Sequence, residues 1–361
     1  MLKQKRLRDY GVNIGQMKIG KQNAITDVAG VTVGHITLSK DEVQTGVTAI
    51  LPHQGNLFRE KLIAASFVIN GFGKTMGTIQ INELGTLETP ILLTNTLSIG
   101  TAADALIDYM LERTPEIGHT TGTVNPVVAE CNDMVLNAIR KKVITKKHVL
   151  AALEQAATEF TEGSFGAGTG MLCYSLKGGI GTASRLIELD YGTYTLGVLV
   201  LANFGQLGDL KINGQPVGHV LQHHIKSTDQ EKDKGSIIMT VATDLPVTQS
   251  QLQRIIKRTV TGLARTGATL TNGSGEIAIG FSTATKIPHE ATAHVLHSPS
   301  IPEGDIDIAF RAVGEATEEA ILNALITAHS IIGRDGNERP ALKDLIETHP
   351  LSLGPRASLS P

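Results

Sequence analysis

Apolar residues along this chain occur either in continuous runs or in stripes with helical spacing, and both patterns come in clusters. Continuous runs of apolar and β-branched residues predict buried strands. They lie at 31–37, 46–51, 62–69, 90–95, 127–130, 178–189, 193–203, 236–243 and 276–283. Helical stripes are found at 101–112, 133–141, 147–160, 249–264 and 315–329. Because the elements cluster instead of alternating one by one, the pattern favours an α+β fold in which two packed sheets carry outer helices.

Composition narrows the class of protein. The 361 residues are 41% hydrophobic and 19% charged, so the chain can bury a large core, and we expect a single domain over 1–361. A net charge of −3, 4% aromatic residues and no tryptophan argue against a nucleic-acid surface. No apolar stretch is long enough to span a bilayer, and the basic N-terminus lacks the apolar segment of a signal peptide. We therefore expect a soluble, cytoplasmic protein.

The junction between Gly235 and Ser236 offers the most distinctive chemistry. The charged segment 226–234 predicts a solvated loop, and a buried strand begins at Ser236. A cut between the two residues would leave a serine amine on a rigid element. Such an amine has a pKa of about 8, so near neutral pH it can act as a base toward its own hydroxyl. Taken alone, the stretch also fits an ordinary junction of loop and strand.

Other candidate sites are weaker. The glycine-rich loop Gly166–Gly170 could hold a phosphate, but it lacks the spacing of a dinucleotide fingerprint, and Gly73-Lys74-Thr75 lacks the first glycine of a P-loop. The cysteines form no C-x-x-C pattern, and the histidine spacing signals a metal site only weakly, so we expect no metal or disulfide. These residues are Cys131, Cys173, His219, His223, His224, His289, His294 and His297.

Polar residues also stand at the ends of predicted strands. Ser274 and Glu276 lie two apart, so in an extended segment both would face the same way and could orient a Ser236 amine. Asn203 ends an apolar run, where its amide could donate to an oxyanion. Glu130 ends another. Taken alone, Ser274 and Glu276 also fit a capped β-turn, and Asn203 fits a turn former.

Seven segments of the chain, taken together, resemble the self-processing L-aminopeptidase/D-amidase/D-esterase and β-peptidyl aminopeptidase family. They occur in the same order as in that family, over about 23–332. The matching segments are Thr45–Thr48, Asn95–Gly100, Pro126–Glu130, Gly166–Met171, Leu201–Gly205, Gly235–Asp244 and Asn272–Glu276. The resemblance implies a four-layer αββα sandwich like that of the N-terminal-nucleophile hydrolases. It also implies self-cleavage between Gly235 and Ser236 into chains 1–235 and 236–361.

The resemblance assigns roles to the candidate residues. Ser236 matches the nucleophile, Ser274 and Glu276 the supporting pair, and Asn203 the asparagine that stabilises the oxyanion. Glu130 matches the carboxylate that holds the substrate ammonium. Asn132 stands where some characterised members have Tyr, so its part in substrate binding and in a second oxyanion contact is open.

The resulting hypothesis is a self-processed serine aminopeptidase or amidase that releases N-terminal residues from small peptides, amides or esters. It would need no cofactor, and by family analogy it would be a homo-oligomer, a tetramer. Three alternatives stay open. They are acyl transfer to an amine, as in the ornithine acetyltransferases, which use threonine; nucleotide binding at Gly166–Gly170; and an unprocessed relative that only binds ligands.

Overall fold

A computed structural model describes residues 4–222, 235–290 and 293–348 of the chain. The helices within these ranges are α1 Thr78–Leu84, α2 Ile99–Arg113, α3 Lys146–Glu154, α4 Val217–Gln222, α5 Gln249–Ile256, α6 Thr259–Arg265, α7 Ile306–Ile326 and α8 Leu342–Thr348. The strands are β1 Thr32–Lys40, β2 Val43–Leu51, β3 Glu60–Gly71, β4 Thr75–Met76, β5 Thr86–Leu87, β6 Ile91–Asn95, β7 Val127–Cys131, β8 Leu172–Cys173, β9 Leu176–Lys177, β10 Gly179–Leu189, β11 Gly192–Asn203, β12 Ser236–Thr243, β13 Gly275–Pro288, β14 Ile331–Ile332 and β15 Glu338–Arg339. The predicted loop 226–234, His223, His224 and the tail after Pro350 lie outside the described residues.

Two sheets form the centre of the molecule. Sheet A has the strand order β1-β2-β6-β7-β4, and sheet B has the order β10-β11-β12-β13-β3-β5. Neighbouring strands are antiparallel except for the pairs β6/β7 and β12/β13, which are parallel. Strands β7 and β12, one from each parallel pair, carry candidate site residues near their ends.

Helices cover the outer face of each sheet. Helices α2 and α3 pack on sheet A, and α5, α6 and α7 pack on the side of sheet B. Strand β12 shows how the layers arise, because its side chains alternate between two cores. Ile237 lies in the core under the helices, while Ile238 lies in the core between the sheets. All eight residues of β12 are buried, as the unbroken apolar run predicts.

The predicted strands are confirmed, although several extend by a few residues, but the helix predicted at 133–141 is wrong. That segment forms turns and one short 3-10 turn, Ile139–Lys141. The N–H of Ala138 donates to the Glu42 carbonyl at 2.7 Å, so it cannot continue a helix. The helix predicted at 147–160 ends at Glu154, since Ala157 exchanges two backbone hydrogen bonds with β1.

Two further helices differ from the prediction. The stripe at 249–264 forms α5 and α6, which are separated at Lys257 and Arg258. Nearby, the Thr259 hydroxyl donates to the Ile256 carbonyl at 2.8 Å, a local bond that competes with the helical pattern. Helix α7 begins nine residues before the predicted start at Glu315. None of the described helices is both long and apolar enough to cross a membrane.

A buried ionic network ties α7 to sheet B. Arg185 of β10 is fully buried and pairs with Glu315 at 3.1 Å and with Glu319 at 2.7 Å. Arg8 reaches the same Glu319 at 2.6 Å, and Asn23 also donates to it. Burial raises the pKa of Glu319, but the hydrogen bond from Arg8 and the charge of Arg185 outweigh it, so the pKa lies below its usual value. The network thereby fastens the N-terminal segment to the core.

Candidate active site

Ser236 is the first residue of β12 and has neighbours on both sides. It pairs with Asn203, the last residue of β11, and with Gly275, the first residue of β13. Residues directly opposite in an antiparallel pair have side chains on the same face, about 5 Å apart at Cβ. The Ser236 hydroxyl and the Asn203 amide therefore lie side by side. Ser236 is only 5% exposed, so the pair is largely shielded from water.

The peptide bond before Ser236 is held in a constrained position. The Ser236 hydroxyl donates to the Gly235 carbonyl oxygen at 2.8 Å, and the Gly275 N–H donates to the same oxygen at 3.2 Å. A Cβ at Gly235 would lie 2.0 Å from the Asn203 carbonyl oxygen, so only glycine fits there. The hydroxyl is thus beside the carbonyl group that precedes it, and a backbone N–H polarises that group.

The Asn203 amide is oriented by two hydrogen bonds. Its Oδ1 accepts from the Leu172 N–H at 2.8 Å, and its Nδ2 donates to the Asn132 carbonyl at 3.1 Å. An amide nitrogen carries two hydrogens, and within the part of the chain that the structure describes one of them has no acceptor. The Asn132 side chain accepts from the Met134 N–H at 3.0 Å. Asn132 therefore contacts Asn203 through its backbone carbonyl, and its side chain is used locally.

Ser274 and Glu276 flank Gly275, the β13 partner of Ser236. Ser274 is fully buried, and its hydroxyl donates to the Thr271 carbonyl at 2.8 Å. The Asn70 amide donates to the carbonyls of both Ser274 and Thr271. Glu276 is 2% exposed. Both candidates therefore lie at the end of β13 that adjoins the start of β12.

Glu130 approaches from the other sheet. It lies on β7, is 2% exposed, and accepts hydrogen bonds from the Lys74 N–H at 3.0 Å and from the Thr96 hydroxyl. No lysine or arginine in the described ranges forms an ion pair with it. A buried carboxylate that keeps its charge requires compensation. Glu130 therefore suits a cationic ligand.

Cys131 joins the two sheets at this edge. Its thiol donates to the Leu201 carbonyl of β11 at 3.5 Å. Burial raises the pKa of Cys131 well above its usual value, and the charges of Glu130, Glu276 and Asp133 raise it further. Cys131 is fully buried. The charges of Glu130, from sheet A, and of Glu276, from sheet B, therefore both act on this thiol.

Asp133 adds a titrating group to this region. Burial raises its pKa to about 7, although hydrogen bonds from Thr45 and Asn137 lower it in part. The Asn137 amide donates to Asp133 at 2.9 Å.

The loop Gly166–Gly170 has little to offer a phosphate. The N–H groups of Gly166 and Ala167 donate to the hydroxyls of Thr37 and Thr48 at 2.8 and 3.0 Å. Those of Gly168 and Thr169 donate to carbonyls within the turn. Because these donors are already used, the loop does not form a phosphate cradle. Its glycines allow close backbone packing.

The described histidines do not assemble a metal site. Across the described ranges, no three His, Cys, Asp or Glu side chains are placed to hold a metal ion. His289 instead bonds to the Thr121 hydroxyl.

Sequence reasoning missed several groups around the candidate residues. Lys74 supplies its N–H to Glu130 from Gly73-Lys74-Thr75, a segment considered only as a failed P-loop. Thr96 lies within a matching segment but was given no role. Nothing in the sequence pattern indicated Asn70 or Leu172, since both residues act through tertiary contacts.

Comparison with known proteins gives matches over most of the chain. The model of the family described as peptidase family S58 matches residues 23–339. The β-peptidyl aminopeptidase BapA of Sphingosinicella microcystinivorans is 38% identical over 353 residues, which cover 92% of this chain and 88% of that protein.

Solved structures agree with these matches. A crystal structure of a protein from Pyrococcus horikoshii OT3 has a TM-score of 0.91 and 49% identity, covering 95% of this chain and 98% of that one. The L-aminopeptidase D-Ala-esterase/amidase of Ochrobactrum anthropi has a TM-score of 0.87 and 35% identity, covering 96% and 99%. It is described as a prototype of the serine aminopeptidases with a variant of the Ntn hydrolase fold.

Proposed function

Since the chain belongs to peptidase family S58, and is thus an aminopeptidase or amidase, we propose that Ser236 becomes its nucleophile when the chain cuts itself after Gly235. The sequence-based assignments of a hydrolase acting on peptide or amide bonds, and of an αββα sandwich related to the Ntn hydrolases, are confirmed. The cut would give the chains 1–235 and 236–361. The observation that carries the proposal is the pair of hydrogen bonds on the Gly235 oxygen.

Self-cleavage begins with the Ser236 hydroxyl. Its oxygen attacks the Gly235 carbonyl carbon and gives up its proton, the C–N bond breaks, and the departing nitrogen receives that proton to become the Ser236 amine. The Gly275 N–H stabilises the oxygen of the tetrahedral intermediate, which is the role of an oxyanion donor. Water then hydrolyses the ester, which leaves a carboxylate on Gly235 and restores the Ser236 hydroxyl.

Substrate turnover uses the amine that the cut has freed. The neutral Ser236 amine takes the proton of its own hydroxyl, and the oxygen attacks the scissile carbonyl. The remaining Nδ2 hydrogen of Asn203 stabilises the oxyanion. The leaving group takes the proton, and water releases the acyl group. Ser274 and Glu276 orient the amine from the adjacent edge of β13.

Glu130 selects substrates with a free amino group. Among the described residues its side chain has two neutral donors and no cation, and a substrate ammonium would supply a counter-charge. This arrangement suits small peptides, amides or esters that carry an unblocked N-terminal residue.

The intact mass of purified protein tests the proposal. Two fragments are expected, one ending at Gly235 and one beginning at Ser236, and Edman sequencing of the second should begin Ser-Ile-Ile. A full-length chain with full activity would refute self-cleavage. A full-length chain without activity would instead support the unprocessed, ligand-binding alternative.

The change Glu130→Gln should leave self-cleavage intact and weaken turnover of free-amine substrates. The uncharged amide forfeits a charge-assisted bond worth about 2 kcal/mol or more, so kcat/KM on an amino-acid anilide should fall roughly thirtyfold. Glu188→Gln, at a largely exposed carboxylate on β10, is the matched control. Equal efficiency of Glu130→Gln and wild type on the anilide would rule out this role.

The pH dependence of kcat/KM should be bell-shaped, because the two amines must be in opposite states. The Ser236 amine must be neutral and the substrate amine protonated, and both titrate near about pH 8. Glu276→Gln removes a negative charge that favours the enzyme ammonium, so the rising limb should move to lower pH. Asp133→Asn is measured as a control, because the Asp133 carboxyl has a pKa of about 7 and also titrates in this pH range. A rising limb near about pH 4–5 would mean that a carboxylate is the base.

Hydrolysis and acyl transfer differ in their products. Adding an amine acceptor to the assay should not divert the acyl group if water is the physiological acceptor.

The cytoplasmic location, the homo-oligomeric state and the absence of a cofactor stay predictions. Light scattering of the purified protein tests the predicted tetramer.

A further inference from the structure

A β-hairpin with a two-residue turn packs against the end of β11 that carries Asn203. It consists of β8 and β9, joined by Tyr174 and Ser175, whose φ angles are +52° and +60°. Residues with a Cβ adopt this left-handed region only when their surroundings impose it. The Tyr174 N–H donates to the Phe204 carbonyl at 2.6 Å, and its hydroxyl bonds to Thr266 at 2.8 Å. The hairpin is therefore fixed against the candidate site.

The last residue of this hairpin is a fully buried lysine. Lys177 Nζ donates to the carbonyls of Gly168, Met171 and Gly178 at 2.9, 2.9 and 2.7 Å. Burial lowers its pKa to about 7. The three acceptors match the three N–H donors of an ammonium group. Lysine is rarely buried fully unless it is paired, so these contacts require an explanation.

One peptide group connects Lys177 to Asn203. Lys177 Nζ binds the Met171 carbonyl oxygen at 2.9 Å, and the N–H of the same peptide, that of Leu172, binds Asn203 Oδ1 at 2.8 Å. A peptide group is planar, so fixing its oxygen also fixes the direction of its N–H. The lysine is thus one rigid group away from the amide.

The orientation of that amide decides what it can do. With Oδ1 held by Leu172 and one Nδ2 hydrogen used by Asn132, the second Nδ2 hydrogen is the donor that Asn203 keeps among the described residues. A flipped amide would present an oxygen to a developing negative charge and would repel it. A donor aimed in advance at the oxyanion position stabilises the transition state most effectively.

We propose that Lys177 is a positioning residue, which holds the Met171–Leu172 peptide group so that Asn203 presents its N–H to the oxyanion. This inference rests on the proposed roles of Ser236 and Asn203. Lys177 itself is surrounded by protein carbonyls and is not placed to touch the substrate. Its effect should therefore appear in kcat, whereas substrate binding through Glu130 should be unchanged.

A double-mutant cycle between Lys177→Met and Asn203→Ala tests the proposal. Processed proteins, checked by intact mass, are assayed for kcat and KM on an amino-acid anilide. Lys177→Met should lower kcat by about tenfold or more while KM stays within about twofold. In the Asn203→Ala background the same change should lower kcat by less than about threefold, because the amide it positions is gone. Lys18→Met, at an exposed ion pair, is the control.

Each outcome of this cycle has a defined meaning. Equal losses of kcat in both backgrounds, or no loss in either, would overturn the positioning role of Lys177. Wild-type kcat in Asn203→Ala would instead refute the proposed oxyanion role of Asn203. If Lys177→Met does not yield folded protein, Lys177→Gln, which keeps a neutral donor, is measured in the same cycle and judged by the same criterion.

Discussion

The change Ser236→Ala should yield a single full-length chain without measurable hydrolysis. Alanine has no oxygen to attack the Gly235 carbonyl, so the chain cannot cut itself. The same change removes the nucleophile for substrates, and the loss of kcat should be at least about 10⁴-fold. Intact mass and an anilide assay on the same preparation measure both effects.

Control variants separate the loss of the hydroxyl from damage to the sheet. Ser236→Thr keeps a hydroxyl and should still self-cleave, though more slowly, because the added methyl group must fit a site that is only 5% exposed. Ser39→Ala removes a hydroxyl on β1 and should leave both processing and rate unchanged. If Ser236→Ala were itself processed, another group would have to cut the chain and the proposal would fail.

The change Arg185→Met should lower the free energy of unfolding by about 3 kcal/mol or more. It leaves the buried carboxylates of Glu315 and Glu319 without their shared cation. Urea unfolding measures the loss, and the Ser236→Ala background keeps the chain uncut so that both proteins unfold as one chain. The stabilisation from Glu319 is present above its usual pKa of 4.5, and it is lost as pH falls through the lowered pKa of the folded state.

The matched control is Lys18→Met, which removes an ammonium from an exposed pair with Glu188. Exposed pairs contribute little to stability, so its urea midpoint should stay close to that of the parent. An Arg185→Met midpoint equal to that of Lys18→Met would show that the buried network does not stabilise the fold. The expected difference depends on burial, since the two changes remove the same kind of charge.

Much of the layered fold could be predicted because central strands such as β12 are buried on both faces. The run that begins at Ser236 has no polar alternation, and only a strand between two cores requires that pattern. Helices were predicted less well, since tertiary bonds decide where they end. Ala138 and Ala157 leave the helical pattern because each N–H bonds to a neighbouring segment of the chain.

The candidate residues could be named from the sequence, but the groups that hold them could not. Ser236, Asn203 and Glu130 stand at strand ends, where a pattern of apolar runs makes a polar residue visible. The N–H groups of Lys74, Leu172 and Gly275 belong to the backbone, so the identity of the side chain carries no signal. Lysine is a mostly exposed residue type, so only the carbonyls around Lys177 explain why this one is buried.

The strand order of sheet B also determines when the proposed cut can occur. Strands β12 and β13, from 236–361, lie between β11 and β3, from 1–235. The Gly235 oxygen meets its backbone donor only after β12 and β13 have paired. The cut would then be an irreversible step that follows folding. Its kinetics would be first-order and would not depend on protein concentration. In a cell, the amount of full-length chain that remains would equal the amount of protein that has yet to assemble this sheet. The two products would stay interleaved at a fixed ratio of one to one, because neither could leave without unfolding the other.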